Sequence, residues 1–141
     1  PLDGVTIDGT ASWTRARFRG VAAGQDHIPG ATPFVLGADI SGKLSSRVTA
    51  TALLRYFASA PLIEDGSRRS QATALVNVGS YWEKGKVRIG LDILNLFDAK
   101  EPDISYWYAS RLAGEPAEGV EDRHVHPVMP RQVRIVARYT F

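Results

Sequence analysis

Cysteine is absent and methionine occurs once in 141 residues, so neither a disulfide scaffold nor a thiolate metal site is available. The lack of cysteine leaves the redox compartment open. No run approaches the roughly 20 apolar residues of a membrane-spanning helix. The opening stretch PLDGVTIDG has neither the basic flank nor the apolar centre of a secretion signal. Without an initiating methionine, the sequence reads as a processed product or as a piece of something longer. The net charge of +2 is scattered, which gives no support to nucleic-acid binding. No Ser, His and Asp set stands in a catalytic motif, and no Gly-rich phosphate loop follows a strand. The sequence therefore offers no catalytic residue and no cofactor site.

What it has is alternation. Period-two patterns dominate and no stretch makes an amphipathic helix. Six runs read as strands, at about residues 5 to 17, 33 to 42, 47 to 60, 71 to 83, 87 to 97 and 131 to 141. In the first, Val5, Ile7, Gly9, Ala11 and Trp13 oppose Thr6, Asp8, Thr10, Ser12 and Thr14. In the fifth, Val87, Ile89, Leu91, Ile93 and Phe97 face away from Arg88, Gly90, Asp92 and Leu94. The last run carries Val133, Ile135, Ala137, Tyr139 and Phe141 on one side and Arg134, Val136, Arg138 and Thr140 on the other, up to the final residue. Chain ends ordinarily fray into polar residues. An aromatic terminus on an alternating strand suits a soluble edge strand, and it equally suits a strand with lipid on one side.

Loop lengths separate those two readings. The connections after the first, third and fifth runs are long, whereas KLSS and KGK are tight turns. Long loops at one end and short turns at the other are expected of an outer-membrane barrel. The aromatics follow the same geometry: Trp82, Tyr139 and Phe141 fall at the tight-turn end, and Trp13, Phe34, Tyr56 and Phe97 at the long-loop end. Two girdles flanking a band of Ala, Val, Leu and Ile are expected where a strand crosses lipid, whereas a soluble core would place aromatics mid-strand. Arg88, Asp92, Arg134 and Arg138 on the other face would be costly in lipid or in a dry core and fit a wet interior. The expected fold is therefore all-β, an antiparallel up-and-down meander of about six strands. Closure needs at least about eight strands, so residues 1 to 141 are expected to be one segment of a transmembrane β-barrel, with further strands upstream.

Two stretches, LDILNLFDAKEP and SYWYASRLAGEPAEGVEDRHVHPVMPRQVRIVARYTF, resemble the carboxy-terminal end of TonB-dependent outer-membrane receptors. The likeness covers about the last 55 residues; the upstream strands are similar only in style, including HIPGATPFVLGADI, which resembles the family's loop-to-strand passage. Asn95, Leu96, Phe97 and Asp98 match the family's NLFD motif; Arg111, Gly114, Glu115, Pro116, Asp122, His124, His126, Pro127, Pro130 and Arg131 match its tail. Met129 departs from it, since an acidic residue is expected before the Pro-Arg pair. The resemblance implies active import of a scarce nutrient such as an iron-siderophore across the outer membrane of a Gram-negative bacterium. It implies partners too: outer-membrane lipid, a small-molecule ligand, the barrel-assembly machinery, and the TonB complex through a plug and TonB box that this sequence does not contain. Val133, Ile135, Ala137, Tyr139 and Phe141 match the terminal signal read by the assembly machinery.

Rival readings remain at several residues. A soluble β-barrel could hold a small apolar ligand if the apolar faces turned inward. Asp122, His124 and His126 lie in phase and could hold a metal ion, although polar residues bonding across a long loop are the plainer reading. Arg111 with Glu115 could grip a charged ligand group or form an ion pair inside the loop. Tyr106, Trp107 and Tyr108 are expected in that loop, either touching a ligand or packing the loop itself. The DGS at 65 to 67 reads as ordinary turn chemistry.

Overall fold

The computed structural model describes residues 4 to 141; the first three residues of the expected 1 to 141 segment lie outside it. The chain is all-β, with no helix among the described residues. Six strands form one antiparallel sheet in the order β1 (Val5–Trp13), β2 (Phe34–Lys43), β3 (Val48–Phe57), β4 (Thr73–Lys84), β5 (Val87–Leu94) and β8 (Gln132–Tyr139). Two more, β6 (Ile104–Ser110) and β7 (Val120–His126), pair only with each other. The sheet is an open meander, with β1 and β8 at its edges.

Register turns the alternation of each strand into two continuous faces. Ile7 pairs with Ile40, Ile40 with Ala52 and Ala52 with Val78; Val78 then pairs with Ile93, and Ile93 with Val133. Because side chains alternate, one apolar row fixes the whole face, and a slip of one residue would invert it. On the opposite face Asp8 pairs with Asp39, Arg88 with Arg138 and Asp92 with Arg134. Arg88 lies 3.6 Å over the Tyr81 ring and 3.4 Å from Glu83. Like charges directly opposite are destabilising unless water screens them, which fits a hydrated face.

The aromatic residues gather at the strand ends. Trp13 pairs with Phe34 and Leu36 with Tyr56 at the long-loop end, with the Phe34 and Tyr56 rings 6.2 Å apart. At the other end Val48 pairs with Trp82 and Val87 with Tyr139, and Phe141 packs edge-on against Tyr139 at 5.3 Å. Between them the apolar face stands open: Ile135 is 74% exposed and Val133 65%. The buried residues Ala60, Leu62, Thr73, Asn95 and Ser105 all lie at the long-loop end.

Two expectations need correction. Several runs stop short of the expected ends, β1 at Trp13, β3 at Phe57 and β5 at Leu94. Beyond Trp13 the ladder loses its register: Thr14 N–H still donates to Pro33 O, but the next pairing joins Arg17 to His27. The second concerns Tyr106, Trp107 and Tyr108, which lie in β6 of a hairpin rather than in an irregular loop.

Candidate functional site at the long-loop end

Three segments, residues 14 to 33, 58 to 72 and 95 to 131, leave the same end of the sheet and pack on one another. The middle one is itself hairpin-like. Pro61 pairs with Arg69, Leu62 N–H donates to Arg68 O, and Ala60 N–H donates to Ser70 Oγ at 2.9 Å. Its tip is the expected Asp-Gly-Ser turn, with Ser67 N–H on Asp65 Oδ1 at 2.8 Å. That bond holds the Asp65 carboxyl below its ordinary range. Gly66 takes φ +70°, and a Cβ there would meet the His27 ring at 2.8 Å, so only glycine lets the first loop close over the tip. His27 N–H donates to Glu64 O at 3.0 Å and Gly30 N–H to Pro61 O at 2.8 Å.

The third segment is clasped at its base by the Asn95 to Asp98 turn. Asn95 and Asp98 have positive φ, 51° and 54°, a conformation that asparagine and aspartate tolerate better than other non-glycine residues. Asn95 is buried, and both ends of its side chain are used. Its Nδ2 donates to Ala99 O and to Met129 O, each at 3.0 Å, while Oδ1 accepts Ala99 N–H at 2.8 Å. Its own N–H donates to Asn77 Oδ1 on β4. Asp98 receives Lys100 Nζ on one oxygen at 2.8 Å and Arg131 N–H on the other at 3.0 Å. These two bonds, Lys100 first, hold the Asp98 carboxyl below its usual range. One turn thus ties residue 99, where the excursion starts, to residues 129 and 131, where it ends. Met129 joins through its carbonyl, so the clasp forms without an acidic side chain at that position. Leu96 extends the ladder through its N–H on Val76 O, and Phe97 is 74% exposed.

The β6–β7 hairpin rises from this clasp. Thr73 Oγ1 donates to Pro102 O at 2.6 Å, Arg123 donates to Arg69 O at 2.9 Å, and Arg68 lies 4.5 Å over the Trp107 ring. At its tip Gly114 takes φ +92°, and the Glu115 carboxylate accepts Leu112 N–H at 2.6 Å. Arg111 donates to the Glu115 backbone carbonyl at 3.2 Å, so the expected ion pair is instead a turn cap beside Pro116. Asp122, His124 and His126 alternate along β7 but take separate partners. His124 stacks on Tyr108 at 3.8 Å, His126 Nδ1 is 2.8 Å from Asp103, and Asp122 accepts Arg123 N–H. Among the described residues no three His, Asp or Glu side chains converge to hold a metal ion.

Two clefts open in this region. One of about 270 Å³ lies where the loops meet and is lined by Thr32, Gln71, Thr73, Asp103, Ser105 and Tyr106 among others. Its hydroxyls, amide and carboxylate can hydrogen-bond a small polar molecule, while Tyr106 offers an aromatic face. The other, about 330 Å³, lies beside Trp13 and carries Arg15, Arg17, His27 and Arg69. Sequence reasoning missed Asn77, Thr73 and His27 as loop-fixing residues, since Asn77 and Thr73 stand in no motif and His27 opens a passage similar only in style.

No protein-family model matches the chain, and no curated protein matches it in sequence. Its fold is an open antiparallel run of strands. It is similar to the crystal structure of the ferric yersiniabactin uptake receptor FyuA from Yersinia pestis, with a TM-score of 0.71 and 17% identity. That likeness covers 99% of this chain and 21% of the receptor, so the chain spans about a fifth of the receptor's length.

Proposed function

We propose that residues 1 to 141 are the carboxy-terminal strands of a TonB-dependent outer-membrane receptor that imports a scarce nutrient such as an iron-siderophore. The observation that carries this reading is the two-faced open sheet, apolar and exposed on one side and charged on the other, whose strands follow a siderophore receptor's over nearly the whole chain. A closed barrel leaves no backbone group unpaired in lipid, so β1 and β8 would each pair with strands of the same receptor that precede residue 1. The apolar face contacts outer-membrane lipid, the charged face lines the interior, and the loop end helps to hold the ligand. No chemical step is involved and no cofactor is needed. Coupling to TonB belongs to the upstream plug and TonB box.

The terminal pattern Val133, Ile135, Ala137, Tyr139 and Phe141 serves as the signal for the barrel-assembly machinery. Asn95, Leu96, Phe97 and Asp98 serve as the loop clasp, with Arg111, Gly114, Glu115 and Pro116 shaping the hairpin tip and Asp122, His124 and His126 its stem.

Uptake of a labelled iron chelate by cells carrying the intact protein is expected to stop when TonB is deleted, with the protein still in the outer-membrane fraction. Extraction as a stable monomer in buffer without detergent would overturn the membrane reading. Deleting Phe141 is expected to collapse outer-membrane abundance while leaving ligand affinity unchanged in the molecules that insert, measured by surface labelling and equilibrium binding. Normal surface abundance after that deletion would show that the terminal aromatic is incidental.

A further inference from the structure

The cleft beside Trp13 has an unusual charge. Arg15, Arg17 and Arg69 line it together with His27, and no carboxylate is among its lining residues. Asp26 engages Arg17 at 2.9 Å and approaches His27 at 3.6 Å. Arg69 spends two of its nitrogens on Ser59. Among the described residues Arg15 has no ion-pair partner at all. Three guanidinium groups therefore line one cleft, Arg17 paired with Asp26, Arg69 bonded to Ser59 and Arg15 uncommitted.

The height of the cleft gives that charge a meaning. Trp13 closes β1 in the same column as Ile7 and Ala11, pairs with Phe34 and is 86% exposed. A tryptophan ending an apolar column sits at the boundary between acyl chains and headgroups. A guanidinium cleft opening beside it lies level with headgroup phosphates, and the guanidinium fork matches phosphate oxygens in a two-pronged bond. The apolar face below, from Trp13 down through Ile7, would receive the acyl chains.

We propose that this cleft binds a phosphate of an outer-leaflet lipid headgroup, with Arg15 as its main ligand and Arg17 and Arg69 completing the positive rim. The proposal rests on the outer-membrane reading above. Inorganic phosphate offers the same anionic oxygens, but it has no chains to lie along the apolar column, so the geometry points to the lipid.

The test uses the intact protein in detergent, mixed with a bis-phosphorylated glycolipid such as lipid A and examined by native mass spectrometry. Wild-type protein is expected to retain the lipid. Each basic residue beside an anionic membrane surface contributes about fivefold in binding, so Arg15→Gln is expected to lower retention about fivefold and Arg15→Gln with Arg17→Gln about 25-fold. Arg15→Lys keeps the charge but not the two-pronged bond and is expected to recover part of the binding, which a change in folding would not do. The single Arg15→Gln variant keeps the test decisive if altering Arg17 disturbs its contact with Asp26. Wild-type retention in both glutamine variants would overturn the site. Binding of inorganic phosphate alone, lost in the same variants and unchanged by added lipid, would overturn the lipid as its ligand. Failure of the outer-membrane reading is distinguishable, because the protein would then leave the membrane fraction without detergent.

Discussion

Leu62, Thr73, Asn95 and Ser105 are buried at the long-loop end, whereas Ile7, Val133 and Ile135 on the regular strands of the sheet stand open to their surroundings. In most proteins the strands carry the core and the loops lie outside it. The reversal follows from the shape. A single open sheet has no second layer to bury either face, so its apolar side needs an external solvent of matching polarity. The loops, being long and stacked, bury one another through backbone hydrogen bonds and a few small apolar groups. The sheet therefore depends on what surrounds it, and the loop end on contacts within the chain.

Breaking the sheet's side of that comparison should have the larger effect. Ile135→Arg puts a charge mid-strand on the apolar face and is expected to cost about 2 to 4 kcal/mol if that face meets lipid. Arg134→Gln, one residue away on the other face, is expected to leave folding nearly unchanged. Refolding the intact protein into vesicles and titrating with denaturant checks both. Equal costs at the two positions would erase the distinction between the faces.

The loop side breaks at Asn95. Asn95→Ala removes the buried side-chain bonds and places a β-carbon residue at positive φ, with an expected cost of about 3 kcal/mol localised to the loop clasp. Asn95→Gly relieves only the backbone part and is expected to recover about 1 kcal/mol. Hydrogen exchange at residues 96 to 131 should rise in both variants while β1 to β3 stay protected. Spreading of the change into those strands would show that the clasp and the sheet are one cooperative unit.

The smallest effect concerns pH. Asp98 is held below its ordinary value near 3.8 by Lys100 and the Arg131 amide. A carboxyl depressed in the folded state contributes stability that is complete above the unfolded value and is lost as pH falls through the folded one. The clasp should therefore be indifferent to pH from neutrality down to about 5, and should loosen only below the ordinary carboxylate range. Amide protection at Arg131, followed from pH 6 to 3, is expected to fall only at the acid end and to lose that dependence in Asp98→Asn.

Much of the sheet was legible because alternation and register are coupled. Once Ile7, Ile40, Val78, Ile93 and Val133 all fall in the apolar phase of their strands, few antiparallel pairings keep every one of them on the same side. Strand ends were less legible. Arg15 and Arg17 continue the alternation after Trp13 although the ladder has already slipped, and Asn95 looks extended until its positive φ is known. The β6–β7 hairpin gave no signal, because Tyr106 and Tyr108 are exposed and of its residues only Ser105 is buried. A strand whose two faces are alike in polarity has no periodicity to read.

The sequence by itself determined the all-β class, the two faces, the order of long and short connections, and the aromatic belts, because each depends only on the two-residue period and on local turn chemistry. Tertiary structure decided the rest. It brought Asn95 to Met129, Asp98 to Arg131, His27 to Gly66, and Arg15 into one cleft with Arg69. Those contacts join residues 33 to 54 positions apart through main-chain carbonyls and amides as much as through side chains. Every residue carries such groups, so no pattern of residue types marks which of them will meet.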